Sequence, residues 1–450
     1  MFSLCKEVAA LSRADCLDGL KRIIPPARIK TVLKEQHKDQ SFCARLPAAS
    51  VVQFVLGMGL FCRDCYRQVF RWVNPRMPVP IRSTLCQARQ RLGVRPIMEL
   101  ARRTVRLLAE PSTMPGAFYR QMRLVAIDGF VIDLPDTPAN VRVFGRPQGG
   151  RTPGAFPQVR TVALCEVGSH VLFRWLSKPI TTNECLMANR LLKELTGDML
   201  LLWDRGFFSY ERIRQVRLRG AHLLARIKNG LVFRPVRSLG DGSFLAKAYP
   251  NTWCRDNDRN GIVIRIIQYT FDDPHRLGCG EKHRLLTTLL DEKLDPANRL
   301  IELYHSRWEE ELAIDEVKTH EIERTTLRSQ TPAGVIQELN ALLLVHFVIR
   351  ALMAQAAQTA ATDPLRLSFT GTLKILRCRI GQYPVARRDQ NAWWGELIAE
   401  IAGEKIEARR NRINPRVIKR KMSKWKKKRA TDRCYPQPAK TFGDSIVMLR

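Results

Sequence analysis

The sequence predicts a mixed α/β protein, and three observations carry that reading. Apolar residues recur at helical spacing from about residue 48 to residue 109. From about Met114 onward, strand-like apolar runs alternate with helical stretches, the pattern of an α/β core. Between 231 and 292 the helical period disappears, and short strands follow one another, separated by Gly, Asp, Asn and Pro. The expected organisation is a helical amino-terminal domain (1–113), an α/β core in two parts (114–230 and 293–361), an inserted β region between them (231–292), and a helical, basic carboxy-terminal region (362–450). A chain of 450 residues exceeds what one hydrophobic core usually serves, which agrees with several domains.

In the amino-terminal part, VVQFVLGMGLF and IMELARRTVRLLA have helical period. Between them, Ser83 is placed to cap a short helix, TLCQARQRL, that Gly93 ends, and Pro96 is placed to open the next. Two helices joined by a tight turn suggest a helix-turn-helix-like unit, in which Gln87, Arg89, Gln90 and Arg91 would offer donors to DNA. An ordinary helical bundle fits the same pattern.

The core opens with the strand RLVAIDGFVIDL, followed by a Gly- and Pro-rich loop over 145–157 and the strands QVRTVALCEV and HVLFRWL. A helix from about Asn183 to Leu195 leads to the apolar strand MLLLWD, and a helix near Tyr210 to Arg219 leads to AHLLARI. The insertion contributes GIVIRIIQYTF and RLLTTLL. Helix returns near Pro296 and persists to about Ala361. The longest apolar run, Leu339 to Ile349, is bounded by Glu338 and Arg350. That run falls well short of the roughly 20 residues that span a bilayer, so a buried helix is expected and no membrane partner.

The formal net charge of +32 and the sequence pI near 10.3 call for anionic partners. A generic basic surface, as on a ribosomal-style protein, would also satisfy them. Twelve basic residues and no acidic one lie between Arg409 and Arg429, yet most of the excess lies elsewhere in the chain. A polyanion footprint spread over several domains fits nucleic acid better than a targeting signal. Twelve cysteines scattered through a long chain read as reduced thiols, and the lone Cys62-x-x-Cys65 pair is weak as a zinc motif. Charges interrupt the first apolar runs, so no secretory leader is expected and the cytoplasm is the expected compartment.

Two carboxylates stand out. Asp128 ends the apolar run LVAI and Asp204 ends LLLW, so each emerges where a buried strand meets a loop. Each alone reads more readily as a turn or helix-cap residue. Matched occurrences on core-like strands point instead to hard divalent cations, which take oxygen ligands and offset buried charge. A third element, YHSRWEEELAIDEVKTH, places Tyr304, Arg307, Glu311 and Lys318 within roughly 60° of one another on an ideal helix. A surface helix with an Arg307–Glu311 ion pair would explain two of these residues, whereas a cleft binding metal and phosphate would explain all four.

Those four residues match the Y-x2-R-x3-E-x6-K signature of the insertion-sequence-four family of bacterial transposases, which the sequence therefore resembles. IDG around Asp128 and DRGF around Asp204 are similar to the family's first two acidic motifs. The resemblance covers nearly the whole chain, including the RVIKRKMSKWKKKR tail. It implies a ribonuclease-H-like catalytic core with a β insertion between the second Asp and the Glu, preceded by a DNA-binding amino-terminal domain. It also implies a DDE transposase that cleaves the ends of an insertion element and joins them to target DNA.

Asp128, Asp204 and Glu311 are then expected to hold two Mg2+ ions, for which Mn2+ substitutes, with Asp128 shared between the ions. Tyr304, Arg307 and Lys318 are expected to face DNA. Arg205 would reach a phosphate or simply neutralise Asp204. Trp253 would serve as a platform for a flipped base in a hairpin intermediate, or fill the core of its own region. Arg89, Arg91 and the tail residues Lys419, Arg420 and Lys421 are further expected DNA contacts, although a solvated charge run is the plain alternative for the tail.

The expected partners are double-stranded inverted-repeat ends and target DNA, with a dimer assembled on DNA. No G-x-x-x-x-G-K-[ST] loop, H-E-x-x-H helix or G-x-S-x-G turn is present, so no ATP requirement is expected. The rival readings are a catalytically silent DNA-binding relative and a nuclease on the same core.

Overall fold

The structure is a computed structural model that describes residues 16–39, 46–75, 77–148, 154–276, 278–305, 307–323, 326–407, 417–418, 426–427 and 438–449. The chain divides into two compact units. The first comprises Met1–Phe118, Ile127–Leu191 and Glu309–Ile406, and the second Tyr119–Ala126, Leu192–Trp308 and Glu407–Arg450. Lys419, Arg420 and Lys421 lie outside the described residues.

Among the described residues, the first unit begins with five α-helices: α1 (Pro26–Glu35), α2 (Ala48–Leu60), α3 (Tyr66–Val73), α4 (Arg82–Leu92) and α5 (Arg95–Thr104). The helical period read from the sequence is therefore real. Gly93 ends α4 at φ +74°, a conformation that glycine adopts without strain, and Pro96 sits in the first turn of α5. Ser83 is not a cap, because α4 already begins at Arg82.

One expectation for α4 fails. Arg89 is only 5% exposed, and its guanidinium donates to Tyr66 Oη (2.7 Å), Ser329 Oγ (2.9 Å), the Gly334 carbonyl (2.9 Å) and Gln337 Oε1 (3.2 Å). It joins the helical region to the segment after residue 328 and is not presented to DNA. Burial of a guanidinium demands such full pairing, since an unmatched charge in the core is strongly destabilising. Gln87, Gln90 and Arg91 on the same helix remain exposed.

After the two-residue strand β1 (Phe118–Tyr119) comes β2 (Met122–Asp133), within which the chain passes from the second unit into the first. Helix α6 (Pro138–Phe144), β3 (Gln158–Glu166), β4 (Val171–Pro179) and α7 (Glu184–Leu191) follow in the first unit, with strand order β2–β3–β4 and an antiparallel β3–β4 pair. Phe130 and Ile132 on β2, and Leu134 just after it, alternate into a buried cluster with Val159, Leu172, Ala313, Val317 and Leu339. Because strand side chains alternate faces, Asp128 shares the face of Phe130 and Ile132, the one that packs against the segment carrying Ala313 and Val317.

The second unit continues with β5 (Met199–Trp203), α8 (Tyr210–Leu218), β6 (His222–Arg226), β7 (Pro235–Ser238), β8 (Phe244–Ala248), α9 (Thr252–Asp256), β9 (Ile262–Phe271), β10 (His283–Thr287) and α10 (Ala297–His305). Strand β5 is buried along its whole length, as its apolar sequence requires, and runs parallel to β6. The stretch expected as an insertion adds its strands to the same sheet, in the order β5–β6–β10–β9–β8–β7, with β10 antiparallel to β6. Arg265 is fully buried beneath it, donating to Ser243 Oγ (2.8 Å) and the Asp295 carbonyl (2.6 Å) and paired with Asp241.

Helix α11 (Trp308–Asp315) passes directly into a π-helical segment, Glu316–Glu321. The single continuous helix expected over 304–318 is therefore absent: α10 stops at His305, and the later turn is widened, with the Ile322 N–H bonded to the Val317 carbonyl at 3.0 Å. Glu316 opens this segment. Its wholly buried carboxylate accepts from Arg350 Nε at 2.9 Å and lies 2.9 Å from His170 Nδ1 and 3.1 Å from His346 Nε2.

Helix α12 (Pro332–Thr359) is long and apolar enough to cross a membrane by length and composition, but 89% of its apolar window is buried within the protein. Helices α13 (Phe369–Arg379) and α14 (Gln390–Gly403) complete the first unit. Two short pairs belong to the second: β11 (Val417–Ile418) with β12 (Lys426–Lys427), and β13 (Ile446–Met448) along β9.

Candidate active site

The first unit holds a cavity of about 310 Å³ whose walls include Asp128, Arg160, Glu184, Glu311 and Lys318. Asp128 comes from β2, Arg160 from β3, Glu184 from the first turn of α7, Glu311 from α11, and Lys318 from the π-helical segment. The structure thus brings together three residues singled out in the sequence, Asp128, Glu311 and Lys318. It adds two that sequence reasoning missed, Arg160 and Glu184. An acid in the first turn of a helix is favoured by the helix dipole in any protein, so nothing local marked Glu184. For Arg160, a cation within the mainly apolar β3 was the available signal.

Several details fix the carboxylates. The Gly129 N–H donates to Asp128 Oδ1 at 2.8 Å, holding that carboxylate at its strand position. Arg160 donates from Nη1 to the Thr182 carbonyl at 2.7 Å, which ties β3 to the turn preceding α7. Burial pushes the Glu184 carboxyl up from its ordinary pKa, against a smaller opposing effect of Arg160. Carboxylate oxygens suit hard divalent cations. Among the described residues, no group of three or more His, Cys, Asp or Glu side chains is arranged to hold a metal ion. Pairs of carboxylates suffice for Mg2+, which keeps several of its waters.

Asp204 belongs to the second unit, where it follows β5 and accepts the Arg205 N–H at 2.7 Å as the cap of a single turn, Arg205–Phe207. Arg205 itself is exposed. Tyr304 and Arg307 lie in the same unit and are buried at 8% and 6% exposure. Tyr304 Oη donates to the carbonyl of Trp203 at 3.2 Å, so its hydroxyl is engaged in holding the end of β5 next to Asp204. The expectation that Tyr304, Arg307, Glu311 and Lys318 share one helical arc rested on a constant 100° per residue. That spacing does not hold across the break after His305 or through the π-helical turn.

Trp253, in the short α9, is 59% exposed with the Arg259 guanidinium 5.5 Å from its ring centroid. It is therefore not a core residue of its region. An exposed indole flanked by a cation is the geometry from which a base can be stacked.

A family model described as the insertion element 4 transposase N-terminal domain matches residues 15–102, and one described as the transposase DDE domain matches residues 119–348. The chain is 28% identical over 428 residues to transposase InsG for insertion sequence element IS4 of Escherichia coli strain K12, covering 91% of this chain and 93% of that one. Among solved structures it is similar to a piggyBac transposase in a synaptic complex with hairpin DNA, at 10% identity, a TM-score of 0.41 and 86% coverage of each chain.

Proposed function

The chain belongs to the insertion-element-4 family of DDE transposases and is a DNA transposase, and from that premise we propose that Asp128, Asp204 and Glu311 are its catalytic, metal-binding carboxylates on a ribonuclease-H-like core. The observation that supports the reading most directly is the cavity in which Asp128 and Glu311, distant in sequence, meet beside Lys318. For Asp204 the support is its position at the open end of buried β5, with the preceding carbonyl held by Tyr304.

Members of this family use divalent metal ions, and the oxygen donors of Asp128 and Glu311 fit one. Bound there, Mg2+, or Mn2+ in its place, supplies Lewis-acid charge that neutralises phosphate and eases deprotonation of an attacking hydroxyl. Lys318 and Arg160, on the walls of the same cavity, offset the charge of the phosphate oxygens.

Strand cleavage forms a bond from water oxygen to phosphorus, breaks the bond to the 3′ oxygen, and leaves that oxygen as a hydroxyl. In joining, the same hydroxyl attacks a target phosphodiester. One ester is exchanged for another, so no ATP is needed. Pairing of two element ends calls for a dimer on DNA. Exposed Trp253 is the platform we assign to a flipped base in a hairpin intermediate, Arg205 a phosphate contact, and the bacterial cytoplasm the site of action.

The test uses supercoiled plasmid bearing the element's inverted-repeat ends with Mg2+. Wild type is expected to cut at the ends, and Asp128→Ala, Asp204→Ala and Glu311→Ala each to lose about 10³-fold or more of the cleavage rate. Undiminished cutting by any one variant removes that residue from the site. Cutting that ignores the ends favours a plain nuclease.

A further inference from the structure

Glu311 reaches the cavity from α11, and the other face of that helix is gripped by a single imidazole. Glu309 and Glu316 stand two helical turns apart on one face, whereas Glu311 lies roughly 160° round the helix from Glu309. His170, the last residue of the turn between β3 and β4, is fully buried against that face. Its Nε2 donates to Glu309 Oε2 at 2.8 Å, and its Nδ1 lies 2.9 Å from Glu316 Oε1. One side chain therefore holds α11 both before and after Glu311.

Two further observations set His170 apart from a routine core contact. Its backbone adopts φ +59°, in the left-handed region that non-glycine residues enter at a cost. Such strain persists where the surroundings fix it, and it clusters at functional positions. Glycine would adopt that conformation without strain but has no side chain to reach either carboxylate. The second observation is that Glu316 is itself anchored from α12. It accepts from Arg350 Nε at 2.9 Å and lies 3.1 Å from His346 Nε2, while Arg350 Nη2 is 2.6 Å from His170 Nδ1. These contacts tie the β3–β4 turn, α11 and α12 together behind Glu311, and the segment that begins at Glu316 carries Lys318 to the cavity wall.

We propose that His170 is a positioning residue for catalysis: by holding Glu309 and Glu316 it fixes the rotation of α11, and so the direction from which the Glu311 carboxylate enters the cavity. His170 is not on the cavity wall and acts only through Glu311. This inference rests on the assignment of Glu311 to the catalytic site.

The test measures single-turnover cleavage of pre-bound element ends, with DNA affinity and the melting temperature read on the same full-length proteins. Wild type is compared with His170→Leu, His170→Gln, Glu309→Ala, Glu311→Ala and His170→Leu combined with Glu311→Ala. His170→Leu keeps bulk but no donor, and is expected to slow cleavage about 10²-fold with DNA affinity unchanged, the loss that a misplaced catalytic group brings. Glu309→Ala is expected to slow it by a smaller factor. His170→Gln, which keeps an N–H for Glu309, is expected to regain most of the rate. In the Glu311→Ala background His170→Leu is expected to cost nothing further, because a residue that acts through Glu311 has no effect once Glu311 is gone. A histidine with a merely structural role would slow both backgrounds by the same factor.

If Glu311→Ala loses cleavage while His170→Leu and Glu309→Ala cut at the wild-type rate, or if His170→Leu slows both backgrounds equally, the role assigned to His170 is wrong and the catalytic site stands. If Glu311→Ala cuts like wild type, the catalytic assignment itself fails. Should His170→Leu not fold, Glu309→Ala, alone and combined with Glu311→Ala, decides by the same comparison.

Discussion

Glu321 shows at the scale of one residue how burial without pairing creates a liability. Its carboxyl is fully buried at the end of the π-helical segment, and among the described residues neither oxygen has a hydrogen-bond partner. Desolvation pushes its pKa well above the ordinary carboxylate value, opposed by Arg377 and reinforced by Glu316. Since the folded pKa is the raised one, the unfolded chain holds fewer protons above about pH 4.5, and this group's contribution to stability declines as pH rises. The slope is at most about 1.4 kcal/mol per pH unit. Glu321→Gln removes that dependence. Its melting temperature is expected to exceed that of wild type by a margin that widens from pH 5 to pH 8. A constant margin, read by calorimetry across that range, would sink the account. Glu316 carries the opposite sign, being held well below the usual range by Arg350 and His170 despite its burial, and it stays ionised throughout this window.

The element of most consequence is α4, where two arginines two residues apart have opposite fates. Arg89 is enclosed and makes four hydrogen bonds, while Arg91 points to solvent. Arg89→Ala is expected to cost about 2–4 kcal/mol of stability, because Tyr66, Ser329 and Gln337 lose their shared donor inside the protein. Arg91→Ala should leave stability within about 0.5 kcal/mol of wild type. If Arg91 touches a phosphate, its loss lowers the salt slope of DNA binding by about 1. Urea denaturation and salt titrations of DNA affinity separate the two. Equal, small losses of stability would show that the Arg89 network is not structural. Burial also marks the π-helical turn after α11, which begins at Glu316, the residue whose carboxylate is enclosed with Arg350.

For the whole molecule, the decisive quantity is charge. A net +32 spread over both units makes affinity for DNA steeply dependent on salt, because each neutralised phosphate releases about 0.9 counterion. Deleting 409–429 removes twelve of those cations. We expect nonspecific DNA affinity to fall and the log–log salt slope to flatten by several units, with cleavage of bound ends retained at low salt. An unchanged slope in fluorescence anisotropy titrations would mean that the tail does not touch DNA.

Much of this protein was legible in its residues. Helical and strand periods located the elements, because periodicity is a local consequence of backbone geometry. Asp204 announced itself by ending an apolar strand and Glu311 by standing in a spaced signature, and the matched families agree with the transposase reading. Asp128 ends the apolar run LVAI but not its strand, which continues to Asp133 because Phe130 and Ile132 extend the buried face. What the local pattern could not reveal was decided by contacts between residues far apart in sequence. Arg89 is a core residue because Ser329, Gly334 and Gln337 surround it. The helix of the signature stops at His305 and widens from Glu316, whose carboxylate meets Arg350 from a distant helix. Glu184 lines the cavity because Gly129 leaves room for it. Burial and pairing are properties of the folded chain, so only the tertiary structure could assign them.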